Sequence, residues 1–174
     1  VILPKSLKEI GTRIFAGCSS LKQLAETGSI DDYESWTGKA GLLDYPLETL
    51  VFATDKPAQS SRKDPWGKPI DNVYAKKSQL GEYMGQNYLT VQARNIIAPI
   101  DDDAVVDALA EKGIFFPAEY LNMEKLGRTF VGNDKITRFK DFSLFHNIKS
   151  LDNDEFLNCY NMRVISLPDS VLAD

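Results

Sequence analysis

Val1–Leu24, VILPKSLKEIGTRIFAGCSSLKQL, decides the fold, because its pattern returns near the other end of the chain. With Leu3–Leu24 laid over Leu144–Ile165 without a gap, Leu3 pairs with Leu144, Leu7 with Ile148, Ile10 with Leu151, Phe15 with Phe156 and Cys18 with Cys159. Leu21 then meets Met162 and Leu24 meets Ile165. The opening VILPKSL also matches ISLPDSV, Ile165–Val171, at an offset of 164 residues against 141 for the first match, so the two differ by one 23-residue unit. These apolar positions keep neither the 3.6-residue period of a helix nor the two-residue period of a strand. They fit a coil that buries one side only by stacking on its neighbours, with Pro4, Gly11 and Gly17 making its turns and Lys5, Lys8, Glu9, Arg13 and Lys22 facing water.

A period of 23 residues lies in the leucine-rich-repeat range of roughly 20 to 29 residues. The expected fold class is therefore α/β: a leucine-rich-repeat solenoid of short strands and turns, with an irregular strand-containing closing segment and a two-helix cap. Residues 25 to 47 read as a polar loop with room for one short helix, and Leu47–Thr54 as a strand. The segment DKPAQSSRKDPWGKP is held out of regular structure by its prolines. Ile70–Ala75 and Asn87–Arg94 read as further strands, and Ser78 as the cap of a short helix, SQLGEYMG. Asp101–Asp103 open a helix, DDDAVVDALAEKG, which Lys112 and Gly113 close. A second helix is expected from Pro117 to about Leu126, stopped by Gly127. Phe130, Ile136, Phe139, Phe142 and Phe145 then lead into the second repeat block.

The 174 residues, 43 % apolar and 26 % charged with net charge −5, are long enough for a real core. Twenty basic residues scattered along an acidic chain make no stripe for phosphates, which argues against nucleic acid and anionic membranes. No window of eighteen uninterrupted apolar residues is present, so no spanning helix or membrane insertion is expected, and no signal peptide is read. Because Val1 opens in mid-repeat and LPDSV begins another unit, a longer parent protein is expected.

LPKSLKEIGTRIFAGCSSLKQL and LDNDEFLNCYNMRVISLPDSV resemble the BspA-like leucine-rich-repeat family. VFATDKPAQSS with NVYAKKSQLGEYMG looks like the irregular last repeat of such modules, Tyr74, Lys76, Ser78 and Tyr83 matching and Ala75 and Lys77 departing. LGRTFVGNDKITRFKDFSLFHNIKSL looks like a module's opening, but the calcium-type loop of many relatives is replaced by EKGIFFPAEY, so metal binding does not carry over. On this resemblance residues 1–95 are a closing half (repeat 1–24, irregular end 25–95). Residues 96–174 are a cap (96–131) followed by opening repeats (132–174). Two arrangements fit that order: a junction between tandem modules, or a permuted solenoid whose end repeats stack on each other.

The resemblance implies an extracellular or cell-surface interaction module that adheres to a protein or glycan on host or microbial surfaces. It implies no catalytic residue, no cofactor and no metal. A structural spacer without its own ligand is the alternative, and a metal-dependent or enzymatic domain the third reading. Exposed repeat ends would also allow self-association.

The residues give chemistry little purchase. His146, the only histidine, occupies the solvent-facing slot of Lys5, without the partner a general base needs. Asp101, Asp102 and Asp103 lack the spacing of a calcium loop and are expected to cap a helix, while Asp152, Asn153 and Asp154 fit a turn between coils. Cys18 and Cys159 are expected as buried free thiols in one inward slot, with a disulfide or catalytic role as the alternative. Among the aromatics of the irregular segment, Tyr33, Trp36, Tyr45, Trp66 and Tyr74, the candidate ligand contacts are Trp66, in the DPWGKP turn, and Trp36.

Overall fold

In the computed structural model the chain is α/β, with a five-stranded parallel sheet and few helices. The structure describes residues 1–7, 18–27, 47–54, 70–81 and 93–172. Two compact units, Val1–Ala98 and Pro99–Asp174, each carry their own core.

The first unit holds β1 (Ile2–Leu3), β2 (Gln23–Glu26), β3 (Thr49–Phe52), β4 (Ile70–Ala75) and β5 (Ala93–Ile97), all parallel and side by side in chain order. Ile2 faces Ala25, Ala25 faces Val51, Val51 faces Tyr74 and Tyr74 faces Ile97, giving register steps of 23, 26, 23 and 23 residues. Each strand with its approach reads apolar-x-x-apolar-x: Leu21 and Leu24, Leu47 and Leu50, Ile70 and Val73, Ala93 and Ile96. In register these residues stack into two rows, buried from β2 to β4 and partly buried on β5, and Phe52 and Ala75 start a third. Burying such a row is worth about 1.5–3 kcal/mol per large side chain, which explains why short strands hold parallel order without hairpins.

Sequence reading places β4 correctly and β3 to within its ends. Residues 25–47, expected as loop, contain the last two residues of β2, and β5 runs over Ala93–Ile97, three residues past the expected end at Arg94, because Ala93 and Ile96 continue the rows of Ile70 and Val73. Residues 87–92 of that expected strand lie outside the described residues. Ser78 sits inside a 3-10 turn, Lys77–Gln79, entered through Lys76, and residues 82–85 of the short helix expected there lie outside the described residues. That turn is anchored by Gln79, whose Nε2 donates to the Thr54 carbonyl at 2.8 Å.

The second unit opens with α1 (Asp103–Glu111) and α2 (Pro117–Leu121). Asp102 caps α1 by accepting from the Ala104 N–H. Gly113, at φ +78°, closes it: its N–H donates to Ala110 and the Ile114 N–H to Leu109, satisfying the carbonyls left open at the helix end. Gly113→Ala is expected to cost about 1–2 kcal/mol, the penalty of a Cβ in the left-handed region, read as a lower melting temperature. No atom lies within 4 Å of the added Cβ, so the loss comes from the backbone alone.

Glu119 reaches back to the N–H groups of Phe115 and Phe116 at the start of α2. The helix ends at Leu121, short of the expected Leu126, because Asn122 Nδ2 donates to the Ala118 carbonyl, an acceptor that a further turn would use.

Beyond the helices, Phe130, Ile136, Phe139, Phe142, Phe145 and Ile148 are all fully buried. Phe139 sits at the centre of the rings, 5.0 Å from Phe130, 5.1 Å from Phe142 and 5.6 Å from Phe145. β6 (Arg138–Phe139) pairs in parallel with β7 (Val164–Ile165), and α3 (Asp169–Leu172) follows. The buried Glu155 accepts from the N–H of Arg128, a non-glycine residue at φ +59°.

The repeat seen in the sequence reappears as turns. Leu7 N–H donates to Pro4 at 3.0 Å, Ile148 to Phe145 at 3.1 Å and Val171 to Pro168 at 3.0 Å. Leu21 donates to Cys18 at 2.9 Å and Met162 to Cys159 at 3.1 Å. The aligned positions do not all share an environment. Leu3 is buried but Leu144 is 42 % exposed, and Leu24 is buried but Ile165 is 37 % exposed. Ile165 lies on a two-stranded sheet, whereas Leu24 has strands on both sides.

Candidate binding face

The positions between the buried rows form the solvated side of the first unit. Lys22 and Glu48, directly before β2 and β3, and Asp71 and Arg94, on β4 and β5, follow one another, and Gln23, Thr49, Asn72 and Asn95 form the next row. Ala25, Val51, Tyr74 and Ile97 make a third, buried at Ala25 and Val51, half-buried at Tyr74 and exposed at Ile97. Alternation along a strand puts the second and third rows on one side of the sheet, so Asn72 and Tyr74 flank the buried Val73.

Charge in the first of these rows is cancelled locally. Lys22 Nζ lies 2.9 Å from Glu48 Oε1, and Arg94 Nε 3.3 Å from Asp71 Oδ1. These side chains are half or more exposed, so each pair adds little stability, but together they leave the row without a net field. Beside them Asn95 Nδ2 donates to the Asp71 carbonyl at 3.1 Å and to Asn72 Oδ1 at 3.2 Å. That bond fixes Asn95 against its neighbour and leaves its own oxygen as an acceptor. An open hollow of about 580 Å³ adjoins the β2 end of the rows, lined by Val1, Cys18, Ser20, Leu21, Lys22, Gln23 and Glu48.

Cys18 opens onto that hollow and is exposed, contrary to the expected inward slot. Cys159, in the equivalent turn, is half-buried, and its thiol donates to the Phe130 carbonyl at 3.0 Å. Burial pushes the Cys159 thiol above its ordinary pKa despite an opposing hydrogen bond with the Asn133 backbone, which disfavours a nucleophilic thiolate. Both cysteines are free thiols.

Trp36 and Trp66, the candidate ligand contacts, lie outside the described residues, as do Tyr33, Tyr45 and Tyr83. Of the family-like motif, Tyr74 is half-buried on β4, Lys76 is buried directly after it and Ser78 is exposed. His146 is exposed, as its repeat slot predicts. Of the three aspartates, Asp102 has the capping role, and its second oxygen also accepts from Thr137 N–H, Thr137 Oγ1 and Arg138 N–H. Asp152, Asn153 and Asp154 are exposed in a turn, with Asp154 at φ +73°. Among the described residues no group of three His, Cys, Asp or Glu side chains is placed to hold a metal ion, and no helix is long and apolar enough to cross a membrane.

The polar rows escape a reading of Val1–Leu24 alone. Their signal is the apolar-x-x-apolar-x pattern recurring at Leu21, Leu47, Ile70 and Ala93, which shorter, less similar segments carry. No family model, curated protein or solved structure matches the chain.

Proposed function

We propose that the chain is a non-enzymatic leucine-rich-repeat interaction module of a cell-surface or secreted protein, whose solvated sheet side binds a protein or glycan. The observation that carries this reading is the near-constant register step of the five parallel strands, 23, 26, 23 and 23 residues, with apolar residues stacked at matching positions. Stacked repeats of that length are the economy of a solenoid, in which the inward positions are fixed by packing and the positions between them are left to a partner. The turns at Phe145 and Pro168, which match the one at Pro4 in the first unit, support the same reading for the second unit.

The immobilised chain is expected to retain host or microbial surface proteins or glycans saturably. Replacing Glu48, Asp71 and Tyr74 together by alanine is expected to abolish retention without lowering the melting temperature by more than a few degrees. Retention that survives this change, or no retention by any surface protein or glycan, overturns the reading.

A further inference from the structure

We infer that the ligand of this side is a linear, uncharged glycan lying across the strands, along the row Gln23, Thr49, Asn72 and Asn95; the inference rests on the binding-module reading above. Three observations select that class.

The first is charge. Lys22 pairs with Glu48 and Asp71 with Arg94, so the row beside the amides carries two positive and two negative groups already joined to each other. A sulfated glycan, a nucleic acid or a strongly charged peptide would have to break one of these pairs, or approach a surface with no net attraction for it.

The second is the chemistry of the row. Four side chains of amide or hydroxyl type, one from each of β2–β5, both donate and accept, as sugar hydroxyls do. Asn95 is already held by Asp71 and Asn72, so part of the ordering cost of binding is met in the free protein. Tyr74, two residues beyond Asn72 on the same side, adds an aromatic ring beside the amides.

The third is spacing. Neighbouring strands lie about 4.8 Å apart, so the row repeats at that distance. An extended peptide repeats its side chains on one side only every second residue, about 6.6 Å, and falls out of step within a few strands. A pyranose ring linked through oxygens at its opposite ends advances by close to one strand spacing, so each sugar meets one strand.

The test is calorimetric titration of the whole chain with linear glucose and mannose oligosaccharides, against heparin fragments and with acidic and basic peptides as comparison. An uncharged oligosaccharide is expected to bind with an affinity that salt does not change. Asn95→Ala and Gln23→Ala together are expected to weaken it about tenfold or more, the loss of at least two hydrogen bonds. Both side chains are exposed, and an unchanged melting temperature reports that the variant is folded. Binding of heparin or a charged peptide that these variants or salt abolish would overturn the glycan while leaving the binding-module reading in place. So would binding of a surface protein with no oligosaccharide bound. Oligosaccharide binding that both variants leave intact would place the site elsewhere and overturn the inference.

Discussion

Phe139→Ala is expected to destabilise the Pro99–Asp174 unit by about 4 kcal/mol, within the range for truncating a fully buried phenylalanine. Phe139 has no exposed surface and its ring meets Phe130, Phe142 and Phe145 within 5.0–5.6 Å, with Phe156 at 6.5 Å. It also lies on β6 opposite Ile165. The deleted ring leaves a void bordered by other rings, which cannot all move into it without losing their own contacts. Chemical denaturation followed by aromatic circular dichroism measures the loss. Phe139→Leu should recover more than half of it by refilling volume, and equal stability of the alanine variant and the native chain would show that the rings do not form a close-packed core.

Asp102→Ala is expected to cost about 3 kcal/mol, more than an ordinary helix cap at about 1 kcal/mol. One carboxylate oxygen caps α1 through Ala104, while the other accepts from two backbone N–H groups and the hydroxyl at the start of β6. Removing it unties the helix from the strand and leaves the N–H groups of Thr137 and Arg138 to water, each having lost a bond to a charged acceptor. Asp102→Asn separates the two roles. The amide oxygen can still cap the helix, but the amide nitrogen cannot accept from Thr137 or Arg138, so about 1 kcal/mol should return. Thermal melts of both variants, with hydrogen exchange at Ala104, Thr137 and Arg138, check the division. Protection lost at Ala104 alone would mean that the grip on β6 carries no weight.

Asp102 marks how far the chain is legible before folding. Three consecutive aspartates before Ala-Val-Val announce a helix start, because local hydrogen bonding and helix polarity depend on near neighbours. The bonds to Thr137 and Arg138 span 35 and 36 residues, and no local pattern records them. The same divide runs through the first unit. Ile70–Ala75 is a strand by its own residues, but β2 and β5 become strands through their neighbours, since QLAE and ARNII are weak patterns that gain order only when Leu24 and Ile96 stack in line with Leu50 and Val73. Cys18 shows the opposite failure: a residue type matched to a slot by alignment, exposed where its counterpart Cys159 is half-buried. The polar rows were hidden for a related reason. Side chains facing water are free to vary, so no repeat in their own identities draws attention to them.

The register steps also say how the sheet can be shortened. Val51 and Tyr74 occupy corresponding places on successive strands, so excising residues 51–73 would join Leu50 to Tyr74 and let the chain continue in phase. A cut one residue longer or shorter would turn every following side chain to the other side, exchanging the apolar rows for the polar ones. The unit of safe deletion, insertion or duplication in this protein is thus a whole register step, and a gene that grows or shrinks by that measure changes the length of its solvated side without redesigning its core.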